Sequence, residues 1–296
     1  MTGEAIMRKP GRHLNESELS RRQKINSLIS FAFVIILASL VMLPIWWIIR
    51  SSLMSNAELY AYPPAFFPSR WMFFNYAATL ETFKFWQYFS NTMLIIVPSV
   101  ITGTATATLC GYAFGRLKFK GKRFLFTLCV GSMLLPNMVT LIPLYLMWTR
   151  IFSLSNTYWP LILPWFCGGG AFNIFLIRQF IRTIPKELDE AATIDGAGPM
   201  RVLFSIIIPA IKPAMIVVGL FIFIMLWNDL LQQTIYINTE DKHTIAIGLS
   251  MFRSGFKADW AKIMCATVLS FIPGIVIYLI GQKYFVEGIV MTGMKN

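Results

Sequence analysis

The sequence predicts an all-α, polytopic membrane protein with six transmembrane helices, and three observations predict it. The first is composition: of 296 residues, 56% are hydrophobic and only 14% charged, with a mean hydropathy of +0.61. Soluble proteins are about a quarter charged, so this chain lacks the polar surface an ordinary cytosolic enzyme needs. Its 25 Phe, 9 Trp and 10 Tyr equally exclude a solvated, disordered chain. The second is the recurrence of uncharged runs of about 20 residues or more, the length that carries a helix across roughly 30 Å of hydrocarbon. The third is the placing of Lys and Arg, which gather in alternate connections between those runs.

The clean runs are Ser27 to Ile49, Phe85 to Gly115, Phe124 to Thr149 and Ile151 to Ile177. A fifth covers Val202 to Asn228. Lys212, Pro209 and Pro213 interrupt its start, but Ala214 to Trp227 is apolar. A sixth is Ile263 to Gln282. With the N-terminus inside, the basic residues of segment 1–26, of the connections after the second and fourth runs and of the tail place 18 of the 26 in the cytoplasm. The net charge of +12 is thereby read as topology and contact with anionic lipid, without a nucleic-acid patch. The first run ends in Trp46 and Trp47 and has no small-x-small cleavage site before Arg50, so it reads as a retained anchor. Both termini are expected to be cytoplasmic.

Between the first two runs, Ser51 to Tyr88 is rich in Pro and aromatic residues, too apolar for a linker and too broken to span. It is expected on the outer interface. The second run carries Ser99, Gly103, Ala107, Gly111 and Gly115, small residues four apart, a ridge that another helix can approach closely. Thr102, Thr104, Thr106 and Thr108 lie between them and could bond back to their own helix or line a polar path. Pro44, Pro98, Pro136, Pro143, Pro160, Pro164 and Pro273 permit kinks, and Gly168, Gly169 and Gly170 interrupt the fourth run.

Catalytic and metal signatures are missing from the sequence. Cys110, Cys129, Cys167 and Cys265 fall inside apolar runs with no C-x-x-C pair, and His13 and His243 are expected on opposite sides of the membrane, so no metal site is expected. The nearest approach to a phosphate loop, Gly115 to Arg123, has five residues between its glycines and Arg where Ser or Thr should hold magnesium. No cofactor is expected in this chain, and any uphill work needs energy from elsewhere.

The most informative stretch is Ile184 to Pro213. Pro185 is placed to open a helix, and Glu187, Asp189 and Glu190 put negative charge in its first turn, where the helix dipole favours it. Leu188, Ala191, Ala192 and Asp195 share one face, and Gly196 supplies the stop. The product is a short helix projecting from the membrane, shaped to enter a groove on a soluble partner.

Glu190-Ala191-Ala192, three residues, Gly196, then Pro209 and Pro213 resemble the EAA loop of permease subunits in binding-protein-dependent ABC importers. The fuller run is similar to the carbohydrate-uptake branch, and within it to the maltose-type second permease subunit. Gly111-Tyr112-Ala113-Phe114 followed by Arg116, Trp227-Asn228-Asp229, and Gln282 to Gly288 extend the likeness over nearly the whole chain. The resemblance implies a type I importer transmembrane domain in a bacterial inner membrane. It also implies a second homologous permease, two cytoplasmic ATPase subunits that use the ATP and magnesium, and an extracytoplasmic solute-binding protein. On that reading Glu190, Ala191, Ala192, Asp195 and Gly196 form the ATPase-coupling site, and the chain is a non-catalytic transport subunit.

The expected organisation is a cytoplasmic segment 1–26, a transmembrane domain 27–285 containing the coupling loop 184–213, and a cytoplasmic tail 286–296. Asn228 and Asp229 are candidates for the substrate path, although Asp229 could equally serve the bundle's structure. In the outward segment Asn238 to Asp259, where relatives contact the binding protein, Arg253 and Lys257 would suit an anionic oligosaccharide. An integral membrane transferase would need convergent His, Asp or Glu at one face. An ion-coupled secondary transporter would need ionisable residues at mid-bilayer and an inverted repeat.

Overall fold

The computed structural model describes residues 16–254 and 259–293, with side chains described within 26–252 and 259–283. Among the described residues the regular structure is entirely helical, and five helical stretches are long and apolar enough to cross a membrane. The first belongs to α1 (Glu16–Ser52), which begins inside the segment set apart as cytoplasmic. Its apolar side chains, Phe31, Leu40 and Val41 among them, are exposed in this chain, and only its outer end from Arg50 to Ser52 is buried.

The outward segment does more than lie on the interface. Ser55 caps α2 (Asn56–Leu59) through a reciprocal bond with Glu58. Asn75 of α3 (Phe74–Thr82) donates to the carbonyls of Ser52 and Met54, both at 3.0 Å. Asn56 donates to Asp259 at 2.8 Å, which ties the segment to the entry of the last helix. Its aromatic rings Tyr62, Phe66, Phe67 and Trp71 remain exposed.

The centre of the bundle is α4 (Phe85–Gly115), whose small-residue ridge faces inward: Ser99, Gly103, Ala107 and Gly111 are all buried. A Cβ at Gly111 would stand 2.6 Å from Ile177 Cγ2, and one at Gly115 2.9 Å from Ile181 Cγ2. The ridge is thus where α8 (Ala171–Thr183) closes on α4. Packing contacts, not hydrophobic burial, hold helices together in lipid, so this proximity is what binds the pair. Thr102, Thr106 and Thr108 donate to carbonyls four residues back at 2.7–2.8 Å. Thr106 also reaches the Trp165 carbonyl at 3.0 Å, stitching α4 to the fourth span.

The third run, expected as one helix, is a broken span. α5 (Lys122–Gly131), prolonged by a 3-10 turn at Ser132–Leu134, meets α6 (Asn137–Leu146) at 100°. Pro136 is the cause, since a proline drives the residue before it out of the helical region, and Leu135 has ψ 121°. The two arms of the pair lie at different ends of α4. Lys122 donates to Leu117 O at 2.8 Å just past the inner end of α4, whereas Trp148 packs on Leu161, Tyr236 and Ile95 towards the outer end.

The fourth span starts at Trp159 and not at Ile151, because Ser153 and Asn156 adopt positive φ in the connection before it. It comprises α7 (Trp159–Ile162), a 3-10 turn at Leu163–Phe166, the three glycines and α8. Gly168, Gly169 and Gly170 all have positive φ, and a Cβ on Gly169 would collide with the Gly103 carbonyl, so the break brings two backbones together.

After α8 come α9 (Glu187–Ile194) and α10 (Pro199–Val202). The fifth span then runs unbroken from Pro199 to Trp227, ending in α11 (Ile208–Trp227). A π turn at Leu203–Ile207 directly precedes Pro209, absorbing the missing N–H that would otherwise break the helix. Beyond α11 lie α12 (Leu231–Tyr236) and α13 (Ile245–Ser254). The sixth span lies in α14 (Trp260–Gly293), which continues through 286–293 and therefore past the boundary expected for a separate tail. Ile177, Ile181, Leu203, Ile207, Ala214 and Val218 form the fully buried heart of the core.

Candidate functional site

The end of the molecule that the basic connections assign to the inner side is organised around α9. The helix starts at Glu187, so Pro185 lies just outside it and Lys186 is the capping position, whose carbonyl accepts from the Asp189 and Glu190 amides, both at 3.0 Å. Glu187, Asp189 and Glu190 occupy the first turn. At the other end Gly196 has φ +81°, Ala197 N donates to Ala192 O at 2.8 Å and Gly196 N to Thr193 O at 3.0 Å. These two bonds are the Schellman closure, which needs the left-handed residue that glycine supplies without a Cβ penalty.

Of the face whose spacing was expected to meet a soluble partner, Leu188, Ala191 and Asp195 are exposed and Ala192 turns to the bundle. Ala192 is half-buried against the main core, and Asp189, three residues earlier on the same side, meets Arg116 at the end of α4. Leu188, Glu190, Ala191, Ile194 and Asp195 are exposed. Ile194 is 86% exposed, and an apolar side chain so open beside a projecting helix offers contact area to a partner. Of the five expected coupling residues, four, Glu190, Ala191, Asp195 and Gly196, face outward and one, Ala192, faces inward.

Asp189 and Arg116 form a lock that sequence spacing alone did not identify. Arg116 Nε lies 3.0 Å from Asp189 Oδ2, close enough for charge attraction but out of line for a hydrogen bond, and Asp189 Oδ1 has no partner. The Arg116 side chain is only 5% exposed. Its terminal nitrogen donates to the Ile184 carbonyl at 2.7 Å, and Tyr112 OH donates to Pro199 O at 2.9 Å. The last turn of α4 thus grips both flanks of the α9 segment. Burial pushes the Asp189 carboxyl above its ordinary value, and the Arg116 charge draws it back. The signal available in the sequence was Arg116, the first of a run of basic residues, directly after an apolar helix, and the acidic stretch Glu187 to Glu190.

The outer end holds the other candidates. Asp229 follows α11, and its Oδ1 accepts the Gln232 amide at 3.1 Å, fastening the start of α12. Half-burial raises its carboxyl above the usual range, and the Gln232 bond lowers it. Asn228 is exposed and lines a cavity of about 920 Å³ with Trp227, Trp260, Ser250, Thr267 and Tyr278, between α1, α11, α13 and α14. The structure therefore separates Asn228 from Asp229, giving one the cavity and the other the turn. Arg253 lies on α13 with its side chain outside the described residues, and Lys257 is outside them altogether.

The expected outward loop is a braced platform. Gln233 is 1% exposed, donating to Leu226 O at 2.8 Å and accepting from Thr244 Oγ1. Asn91 donates to the Asp241 and His243 carbonyls at 2.8 and 2.9 Å, Gln87 to Asp241 O at 3.0 Å, and Lys84 pairs with Glu240 at 2.6 Å. Asn156, across the sequence, accepts from the Asn238 and Thr239 amides. None of these was visible as a site, because polar side chains near a membrane boundary read simply as a helix leaving it. Among the described residues no three His, Cys, Asp or Glu converge as metal ligands.

The family model described as "Binding-protein-dependent transport system inner membrane component" matches residues 103–290. The chain is 30% identical to the "Probable ABC transporter permease protein YurM" of Bacillus subtilis (strain 168) over 97% of its length and 95% of that protein. It is 29% identical to the "Diacetylchitobiose uptake system permease protein NgcG" of Streptomyces coelicolor (strain ATCC BAA-471 / A3(2) / M145) over 86% and 84% of the two chains. A chain in the crystal structure of a bacterial ABC transporter involved in the import of the acidic polysaccharide alginate superposes with a TM-score of 0.77 at 25% identity, covering 90% of this chain and 98% of that one.

Proposed function

The chain belongs to the family of binding-protein-dependent transport system inner membrane components, non-catalytic permease subunits of ABC importers, and from that premise we propose that it forms half of the translocation pathway for an oligosaccharide. The observation that carries the reading is the α9 segment: a short helix held by Arg116 to the end of α4 while Ala191, Glu190 and Ile194 stand exposed. That helix is proposed to dock in a cleft of an ATPase subunit, with Ala191 giving a low-profile contact, Glu190 pairing with a basic group and Gly196 setting the bend. ATP and magnesium act in the two ATPase subunits. Closing of the ATPase dimer draws the segment inward, and the Arg116 and Tyr112 contacts pass the pull to α4. The glycine ridge then passes it to α8.

The remaining partners follow from the surfaces. The exposed apolar flank of α1 suits lipid and a second, homologous permease. The braced platform of α12 and α13 suits an extracytoplasmic binding protein, and six traverses, with the bent pair counted as one, would leave both termini on one side, the cytoplasmic one by the basic loops. The diacetylchitobiose uptake for which NgcG is named and the alginate importer support a carbohydrate cargo. Asn228 beside Trp227 and Trp260 supplies the amide and indole surfaces that sugars favour, and Arg253 and Lys257 would favour an acidic sugar.

Reconstitution of the chain with its co-purifying subunits tests the reading, with ATPase stimulation measured across neutral and acidic oligosaccharides. A photocrosslinker at Ala191 is expected to capture a nucleotide-hydrolysing subunit, and the isolated chain is expected to hydrolyse no ATP. Failure of Ala191 or Ile194 to capture such a subunit in native membranes overturns it.

A further inference from the structure

At the inner membrane boundary a cleft of about 300 Å³ is lined by Arg116, Lys122, Arg178, Arg182, Lys186 and Phe114. Five cationic side chains from two separate stretches of the chain, 116–122 and 178–186, converge there without a carboxylate in the lining. Arg116 is matched by Asp189 on its other side. None of the ion pairs among the described residues involves Lys122, Arg178, Arg182 or Lys186. The two innermost are held in place: Arg178 Nε donates to Phe114 O at 3.2 Å with its guanidinium 3.9 Å over the Phe126 ring, and Lys122 Nζ donates to Leu117 O at 2.8 Å. Like charges gathered in a partly desolvated space repel, and the arrangement is relieved by an anion that accepts several N–H donors at once.

Depth and surroundings identify that anion. Arg178 lies five residues before the end of the span that closes at Thr183, about 8 Å along a helix at 1.5 Å per residue. The polar layer of a bilayer is about 5–8 Å deep on each side, so the cleft opens at the level of lipid phosphates. Immediately beyond Lys122, α5 presents Phe124, Leu125 and Leu128 outward, 66%, 47% and 55% exposed, an apolar strip running towards the membrane interior. We propose that this cleft binds a phosphate group carried by an anionic phospholipid, its acyl chains lying along α5. An acidic patch on a soluble subunit would reach Arg182 and Lys186 but would have no use for the apolar strip.

The test uses the assembled importer and native mass spectrometry, titrating phosphatidylglycerol or phosphatidylcholine in mixed micelles. Phosphatidylglycerol is expected to bind in preference. Arg182→Gln with Lys186→Gln is expected to weaken it about thirty-fold, from roughly 1 kcal/mol per basic residue and a ten-fold change per 1.4 kcal/mol. The control Lys118→Gln with Lys120→Gln, equal in charge and outside the cleft, is expected to bind as the parent does. Equal loss in the control, undiminished binding in the cleft variant, displacement by millimolar inorganic phosphate, or zero-length crosslinking of Lys186 to an ATPase carboxylate in lipid-depleted complex would each overturn the proposal.

Discussion

At its inner end α4 is fixed by close backbone approach and a buried ion pair, whereas at its outer end it is fixed by long polar side chains reaching the carbonyls of a folded loop. Gly111 and Gly115 let Ile177 and Ile181 sit against the helix axis, and Arg116 clasps Asp189 with little water present. At the other end Gln87 and Asn91 bond to Asp241 and His243 carbonyls, and Lys84 meets Glu240 where both side chains are more than half exposed. On the proposed function the inner end passes on force, because its contacts do not yield without a steric or electrostatic cost. The outer end positions a surface through neutral bonds, each of modest strength, that share the load.

The largest effect expected from breaking this contrast comes from Gly111→Val. A Cβ there already meets Ile177 at 2.6 Å, so α8 must move away, at a cost of about 3 kcal/mol. Loss of assembled complex on size exclusion and a lower melting temperature check it. Arg116→Ala comes next. It leaves Asp189 without its countercharge in a half-buried place, costing about 2 kcal/mol, and is expected to leave ATP hydrolysis running while transport falls at least about ten-fold. Arg116→Lys should rescue only part, since one ammonium cannot serve both Asp189 and the Ile184 carbonyl with a planar fork.

Acidification sharpens the comparison. Burial holds Asp189 above its ordinary value, and the Lys84 hydrogen bond and charge hold Glu240 below its own. A folded value raised above the unfolded one means that the native state takes up this proton more readily. Asp189 therefore stabilises the fold relatively at low pH, a contribution lost as pH rises through its folded value. Glu240 contributes above its unfolded value and loses that contribution as pH falls through its depressed folded one. On lowering the pH, then, the Lys84–Glu240 contribution is lost while protonation of Asp189 favours docked α9 over its opened form, so amide exchange near Glu240 should rise at a pH where exchange in α9 does not. The smallest effect is expected for Lys84→Met, an exposed pair screened by water. Unchanged transport and melting would agree, and a loss matching that of Arg116→Ala would erase the distinction between the two ends.

Much of this was legible in the residues. The small-residue ridge of α4, the glycine break before α8 and the glycine stop after α9 are written locally, because each depends on side-chain size or on which backbone conformations a residue tolerates. The broken third span was half legible. Pro136 was noted as permitting a kink, but its 100° extent depends on what packs at either end. What holds α9 to the bundle was not legible: its spacing set Leu188, Ala191, Ala192 and Asp195 on a face for a soluble partner, and said nothing of Asp189, which turns inward to Arg116, 73 positions earlier in the chain. The outer platform was illegible for the same reason, its partners Asn91, Asn156 and Gln233 being far apart in sequence.

By itself, then, the sequence determined that the chain lives in a bilayer, which stretches are apolar and long enough to cross it, and where a short acidic helix interrupts them. Hydropathy, proline and glycine act over a few residues and need no partner to take effect. Only the tertiary structure decided which carboxylate locks to the bundle, which polar side chains brace the outer face, and that basic residues from two separate stretches meet in one cleft. Those outcomes depend on distance between groups far apart along the chain, and electrostatic and hydrogen-bond energies are set by that distance and by how much water remains between them.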